Sequence, residues 1–135
     1  PAVLASRVMS WLGAARAASR LRILNHRHAR WHDEAWLYWL FQVQESRGVL
    51  ASLRATEQIL REHPFDDDPT IRFDVLSHLA QLLSVFRDFP RAYAAIDEAI
   101  AAFPERPWFP ATKAMVLMAA DRREEAIEWA DRALE

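Results

Sequence analysis

The stretch Phe73–Glu105, FDVLSHLAQLLSVFRDFPRAYAAIDEAIAAFPE, decides the fold class. Its first half runs Leu76-x-x-Leu79-Ala80-x-x-Leu83, its second half Ala92-x-x-x-Ile96-x-x-Ala99, and Pro104 closes it. Apolar residues three and four positions apart share one face of a helix, so the stretch predicts two amphipathic helices joined by a short turn at Arg87 to Phe89. Small side chains at Ala80, Ala92 and Ala99 stand beside large ones at Leu79, Leu83, Phe89 and Ile96. The helices are therefore expected to approach closely at the alanines, with the large residues filling the flanks. A single hairpin cannot bury its apolar face alone and needs neighbours stacked against it.

Working outward, the pattern recurs. Ala114, Leu117, Ala126, Ala130 and Ala133 fall 34 residues after Ala80, Leu83, Ala92, Ile96 and Ala99. Upstream, Trp36-x-x-Trp39-Leu40-x-x-Val43 precedes a break near Arg47 and Gly48, and Ser52, Ala55 or Thr56, and Ile59 lead to Pro64. Leu40 stands where Ala80 stands in the middle copy, so its packing is expected to be looser or rearranged. The segment from Phe65 to Thr70 is extra; Asp68 reads as an N-cap with Pro69 as the first helical residue, which lengthens the following helix at its start. Asp121-x-x-Glu124 reads as a capping box. Pro110 and Lys113 break the apolar pattern of the last copy, whose first helix is expected to start late or twist. Residues 1–32 read as a degenerate helical hairpin, with Leu4, Ala5 and Val8 on one stripe, a break at Gly13, and Ala17, Leu21 and Leu24 on the other. A capping pair and the tail of an upstream repeat fit that segment equally.

These residues resemble the tetratricopeptide repeat, a helix-turn-helix unit of about 34 residues. The resemblance covers residues 33–135 and is most specific in the middle copy. It implies an all-α, right-handed α-solenoid of antiparallel helical hairpins in a single domain of residues 1–135. About three repeats (33–66, 73–106 and a truncated 107–135, with an insert at 67–72) would follow the N-terminal pair. It also implies a scaffold that binds a protein or peptide partner on the concave face of the stack. The positions matching that face are Leu37, Tyr38, Phe41 and Gln44, then Ser77, His78, Gln81 and Ser84, then Ala111, Thr112, Met115 and Met118. The expected groove is apolar at both ends and polar but uncharged in the middle. Alternatively, Leu37, Phe41 and Met115 are covered by residues 1–32 or by a second copy, which makes the chain self-associating, or the chain is an accessory module of a larger enzyme or assembly. Family members that grip a peptide C-terminal carboxylate do so with lysines, asparagines and an arginine; the corresponding places here hold none, and the sole lysine is Lys113.

Composition bounds the remaining classes. A hydrophobic content of 52% argues against disorder, and two glycines with abundant Ala, Leu, Arg and Glu fit an all-helical chain. The lack of cysteine excludes disulfides, thiolate zinc sites and cysteine nucleophiles, and leaves the compartment open. No apolar run reaches the roughly 18 residues of a membrane span. Residues 1–12 are interrupted by Arg7 and read poorly as a secretory leader, which favours a cytoplasmic location, or a periplasmic one if a signal was removed. The start at Pro1 and the stop within a periodic segment suggest a fragment of a longer protein.

Net charge is -2, yet residues 1–32 carry six arginines and no acid, while the rest carries 11 basic and 19 acidic residues. The arginines, with Trp11 and Trp31, would suit a nucleic acid, but the acidic remainder would repel a polyanion, so pairing within the chain is the expectation. His26, His28 and His32 are a weak metal candidate, because only His28 and His32 share a helix face. His63 and His78 stand alone. Asp66, Asp67 and Asp68 lack the glycine and later bidentate acid of a calcium loop, and helix capping explains them better. No glycine-rich phosphate loop, GxSxG or spaced Ser, His and acid set is present, so no enzymatic activity, metal or cofactor is expected.

Overall fold

A computed structural model describes residues 34–66 and 68–134. The readings for residues 1–32, including the N-terminal hairpin and the His26, His28 and His32 cluster, and that for Asp67 lie outside the described residues. Among the described residues the chain is all-helical, with six helices and no strand. They are α1 (Glu34–Arg47), α2 (Val49–Glu62), α3 (Ile71–Val85), α4 (Phe89–Ala102), α5 (Trp108–Ala119) and α6 (Arg123–Arg132). Two compact units divide the chain, Pro1–Asp68 and Pro69–Glu135, with the boundary inside the extra segment between the first two copies.

In the first unit α1 packs on α2. Gly48 alone separates them, at φ 87°, a left-handed conformation that glycine adopts without a Cβ penalty. Trp36, Leu40 and Val43 are buried against Ser52, Thr56 and Ile59, as the helical spacing predicts. Leu40 is fully buried, and Ser52, which stands where Ala92 stands in the middle copy, is the small residue beside it. Ser52, fully buried, donates its hydroxyl to the Leu40 carbonyl at 3.2 Å, and the equally buried Thr56 donates to the Ser52 carbonyl at 2.7 Å. Both hydroxyls are satisfied, which is the condition for burying them without a large penalty.

In the second unit α3 packs on α4, α5 lies against both, and α6 rests on α5. Ala80, Ala92, Ala99 and Ile96 are all 0% exposed, the small-beside-large pattern in place. The 34-residue period is also a property of the backbone. Arg87 and Asp121 both take φ 60°, and Phe86 and Ala120 before them take near-identical dihedrals. Arg87 N–H bonds the Ser84 carbonyl and Asp88 N–H the Leu83 carbonyl; Asp121 and Arg122 repeat both bonds to Met118 and Leu117. This left-handed cap satisfies helix-end carbonyls and reverses the chain within three residues.

The assigned helix α3 begins at Ile71, two residues after the predicted first residue Pro69, and one capping expectation, that at Asp121, is corrected. The Thr70 hydroxyl is engaged by the Arg106 guanidinium at 3.2 Å, and Thr70 itself is already in the helical region. Asp121 does not open a capping box, because its backbone is committed to the left-handed turn and α6 starts at Arg123 with no side-chain cap. Pro110 sits in the first turn of α5, where a missing N–H is tolerated. Lys113 departs from the apolar pattern for a visible reason: its ammonium meets Asp97 of α4 at 2.5 Å and lies 4.1 Å over the Trp129 ring of α6.

A second tie closes the entry to α5. One Arg106 guanidinium nitrogen bonds both Asp74 carboxylate oxygens at 3.0 Å, the Trp108 indole N–H donates to the same carboxylate at 2.9 Å, and the guanidinium lies 5.0 Å from the centres of the Phe103 and Trp108 rings. Asp74 and Arg106 side chains are only 13% and 23% exposed, so this pair is screened less than an ordinary surface bridge. Arg106→Ala should lower unfolding stability by about 1–3 kcal/mol, with Arg106→Lys recovering only part because an ammonium lacks the planar fork. Urea denaturation of the three proteins checks this. At the turn, Arg87→Gly should raise stability by roughly 0.5–1 kcal/mol and Arg87→Val lower it by at least about 1 kcal/mol, since only the left-handed φ separates the two outcomes. The order of their denaturation midpoints is the measurement, and equal midpoints would contradict the strained-turn account.

Candidate functional site

The residues assigned to a groove fall in both units, and each unit presents its own set. On α1, Tyr38 is 41% and Phe41 47% exposed, one helical turn apart. Leu37 and Gln44 beside them are half-buried. The core stripe of Trp36, Leu40 and Val43 is therefore separate from a second, outward stripe, as the excess of apolar residues in this helix suggests.

In the second unit the polar middle of the expected groove has a different location. Ser77 and His78 are each 4% exposed. The Ser77 hydroxyl donates to Thr112 Oγ1 at 2.9 Å, and the Gln81 amide donates to the same oxygen at 3.2 Å. Ser84 turns back on its own helix, donating to the Gln81 carbonyl at 2.7 Å. Ser77, Gln81 and Thr112 thus form a polar seam between α3 and α5, and Ser77, His78 and Thr112 are not surface residues open to a ligand. The burial of Ser77 follows from α5 lying on α3, which turns that face of α3 inward. Gln81, half-buried, marks the edge of the seam. Met115 and Met118 stand outward on α5 at 59% and 50% exposure, one and two turns on from Thr112.

His78 is held neutral. Desolvation by burial lowers its pKa from the ordinary 6.5 to about 4, because a buried imidazolium would lose its hydration. A lone histidine has no assigned role in the sequence; in the structure it is a core residue whose charge state matters.

Sequence reasoning missed a second feature, in the first unit. Trp36, assigned only to the core, lies 4.9 Å from His63 and 5.8 Å from Trp39 between ring centres, and His63 lies 4.6 Å from the buried Phe65. Trp36 and His63 are 27 residues apart, so only the antiparallel hairpin brings them together. Pairing the start of one predicted helix with the end of the next is the signal that would have found them. Among the described residues no group of three or more His, Asp or Glu side chains is placed to hold a metal ion, and no helix is long and apolar enough to cross a membrane.

No protein-family model, curated protein or solved structure matches the chain.

Because unfolded chains protonate this histidine near 6.5 while the folded state resists until about 4, the unfolded state binds more protons between those values. Stability contributed by neutral His78 is therefore fully present above the upper value and is lost as pH falls toward the lower one, by about 3 kcal/mol in all. Urea unfolding of the wild type and His78→Gln at pH 7.5 and at stepwise lower pH should show a shallower decline for the variant. Parallel declines would remove His78 from the account.

Proposed function

We propose that this chain is a protein-interaction scaffold of the tetratricopeptide kind, a right-handed α-solenoid whose exposed helix faces bind a peptide or partner protein without catalysis or cofactor. The observation that carries the reading is the pair Met115 and Met118. Both are more than half or just half exposed on a helix whose other side is sealed by buried Phe109, Val116 and Leu117. A folded helix gains nothing for its own core from two outward methionines, and methionine suits surfaces that adapt to apolar side chains.

The mechanism is burial. Partner side chains displace water from Met115 and Met118, and the Gln81 amide at the seam edge supplies a polar group for orientation. The Ser77–Thr112 bond keeps α3 and α5 in fixed relation, so the surface is preformed. Tyr38 and Phe41 offer an apolar set of the same character on α1, with Leu37 and Gln44 at its margin. A second reading, self-association, is favoured by Ile127, which is 59% exposed on α6.

Partner capture by the wild type should be weakened about tenfold or more by Met115→Glu with Met118→Glu, at unchanged helicity, because charge replaces the apolar contact. Retention of the same partners at the same strength by the double variant would reject the assignment. Sedimentation across concentrations separates the second reading: a concentration-dependent dimer abolished by Ile127→Glu supports it, and a strict monomer rejects it.

A further inference from the structure

Within the second unit, α5 lies on α3 and α4. Thr112 meets Ser77 and Gln81 of α3, and Lys113 meets Asp97 of α4. Advancing each covered position by 34 residues leads from that hairpin to the next one, α5 with α6. Ser77, Ala80, Ile96 and Ala99 are at most 4% exposed, whereas their counterparts Ala111, Ala114 and Ala133 are half-buried and Ala130 is exposed. Gln81 and Tyr93 are half-buried, and their counterparts Met115 and Ile127 are both 59% exposed. What is hidden on the hairpin that α5 covers is therefore open on the hairpin that α5 itself forms. Two details of chemistry go with this. The polar partners of Thr112 are replaced by Ala111 and Met115, which makes the open face apolar, while the acid that holds Lys113 has a counterpart in the exposed Asp131.

We propose that this face binds one amphipathic helix of a partner protein, seated on α5 and α6 as α5 is seated on α3 and α4. The inference rests on Met115 and Met118 as the partner surface and extends that surface onto α6 through Ile127, Ala130 and Asp131. An extended peptide is the poorer occupant. Its backbone N–H and C=O groups would be buried against Ala111, Met115, Ile127 and Ala130, whose side chains offer no hydrogen bond, whereas a helix satisfies those groups within itself. The width is that of one helix, because the face repeats one that already holds a helix. Methionine adapts to the apolar stripe that a helix presents at three- and four-residue spacing. The repeat also sets the register. Where α5 carries the adjacent pair Thr112 and Lys113, the docked helix carries an apolar residue followed by a basic one, the first against Ala111 and Met115 and the second against Asp131.

The probe is a synthetic peptide of residues 105–124 of this chain carrying Thr112→Leu, which has the apolar and basic pair in that register. It is titrated into the full chain and followed by the methyl resonances of Met115, Met118 and Ile127. Saturable shifts at all three are expected. The peptide with Thr112 unchanged should bind severalfold more weakly, because Ala111 and Met115 give its hydroxyl no partner. Lys113→Glu in the peptide should weaken binding roughly twofold to fivefold, the range of an exposed ion pair, and Asp131→Lys in the chain should restore it. Ile127→Glu in the chain should weaken binding about tenfold or more at unchanged helicity. Absence of saturable shifts, or equal binding by the Lys113→Glu peptide, would overturn the proposal. So would shifts at the buried Ile96 of α4 in place of Ile127, which would mean exchange with α5. A chain that dimerises through Ile127 without added peptide gives the face to a second copy and overturns it too. Shifts confined to Met115 and Met118 keep the partner surface and overturn only the helical seat on α6, whereas unchanged partner capture by Met115→Glu with Met118→Glu removes the surface itself.

Discussion

Close approach at alanine is the constraint from which the second unit follows. Ala80 on α3 and Ala92 and Ala99 on α4 are fully buried, and no larger side chain would leave the two helices room to interdigitate Leu83 and Ile96. Once the pair is closed, its remaining apolar surface faces outward from the hairpin, and α5 covers it by lying on both helices. The order of packing is thus dictated by what one hairpin cannot hide. In the first unit only one side of that approach is small: Leu40 stands in place of an alanine, Ser52 lies opposite, and the serine hydroxyl reaches the Leu40 carbonyl.

The hairpins were legible because backbone geometry repeats with the sequence period and burial repeats in part. Leu117 and Ala126 are buried like Leu83 and Ala92, 34 residues earlier, and Arg87 and Asp121 share one conformation, whereas Ala114 and Ala133 are half-buried and Ala130 is exposed. Neither turn residue is glycine, so the left-handed cap has no local signature and was not foreseen. The start of α6 differs from its reading for a related reason. Asp121 has the chemistry of a cap, but a cap also needs its backbone in the right place. Asp121 is held in the turn by the bonds Asp121–Met118 and Arg122–Leu117, which compete for the same few residues.

The site was half legible. Exposure of Tyr38, Phe41, Met115 and Met118 agrees with their placement on outward stripes. Ser77 and His78 do not share it. For Ser77 the reason is that a polar residue on a helix face reads the same whether it meets water or another polar residue on a neighbouring helix. Thr112 decides between the two, and its contact with Ser77 spans 35 residues of sequence, beyond any local pattern. A polar seam of this kind costs less than it first suggests, since each hydroxyl keeps a partner, and it fixes the register of α5 on α3 more sharply than apolar contacts alone would.

Aromatic rings tie chain segments together in both units, by different means. Around Arg106 the cation comes from the chain, the acid comes from α3, and the product is a tie between the start of α3 and the entry to α5. Around Trp36 and His63 the contact is between the rings themselves, 4.9 Å between centres, and it joins the start of α1 to the residue that closes α2. His63 in turn packs on the buried Phe65 at 4.6 Å, so the chain leaving the hairpin is held against the helix that began it. A hairpin closed at its Gly48 turn still has two ends away from that turn, and an aromatic contact across them opposes their fraying.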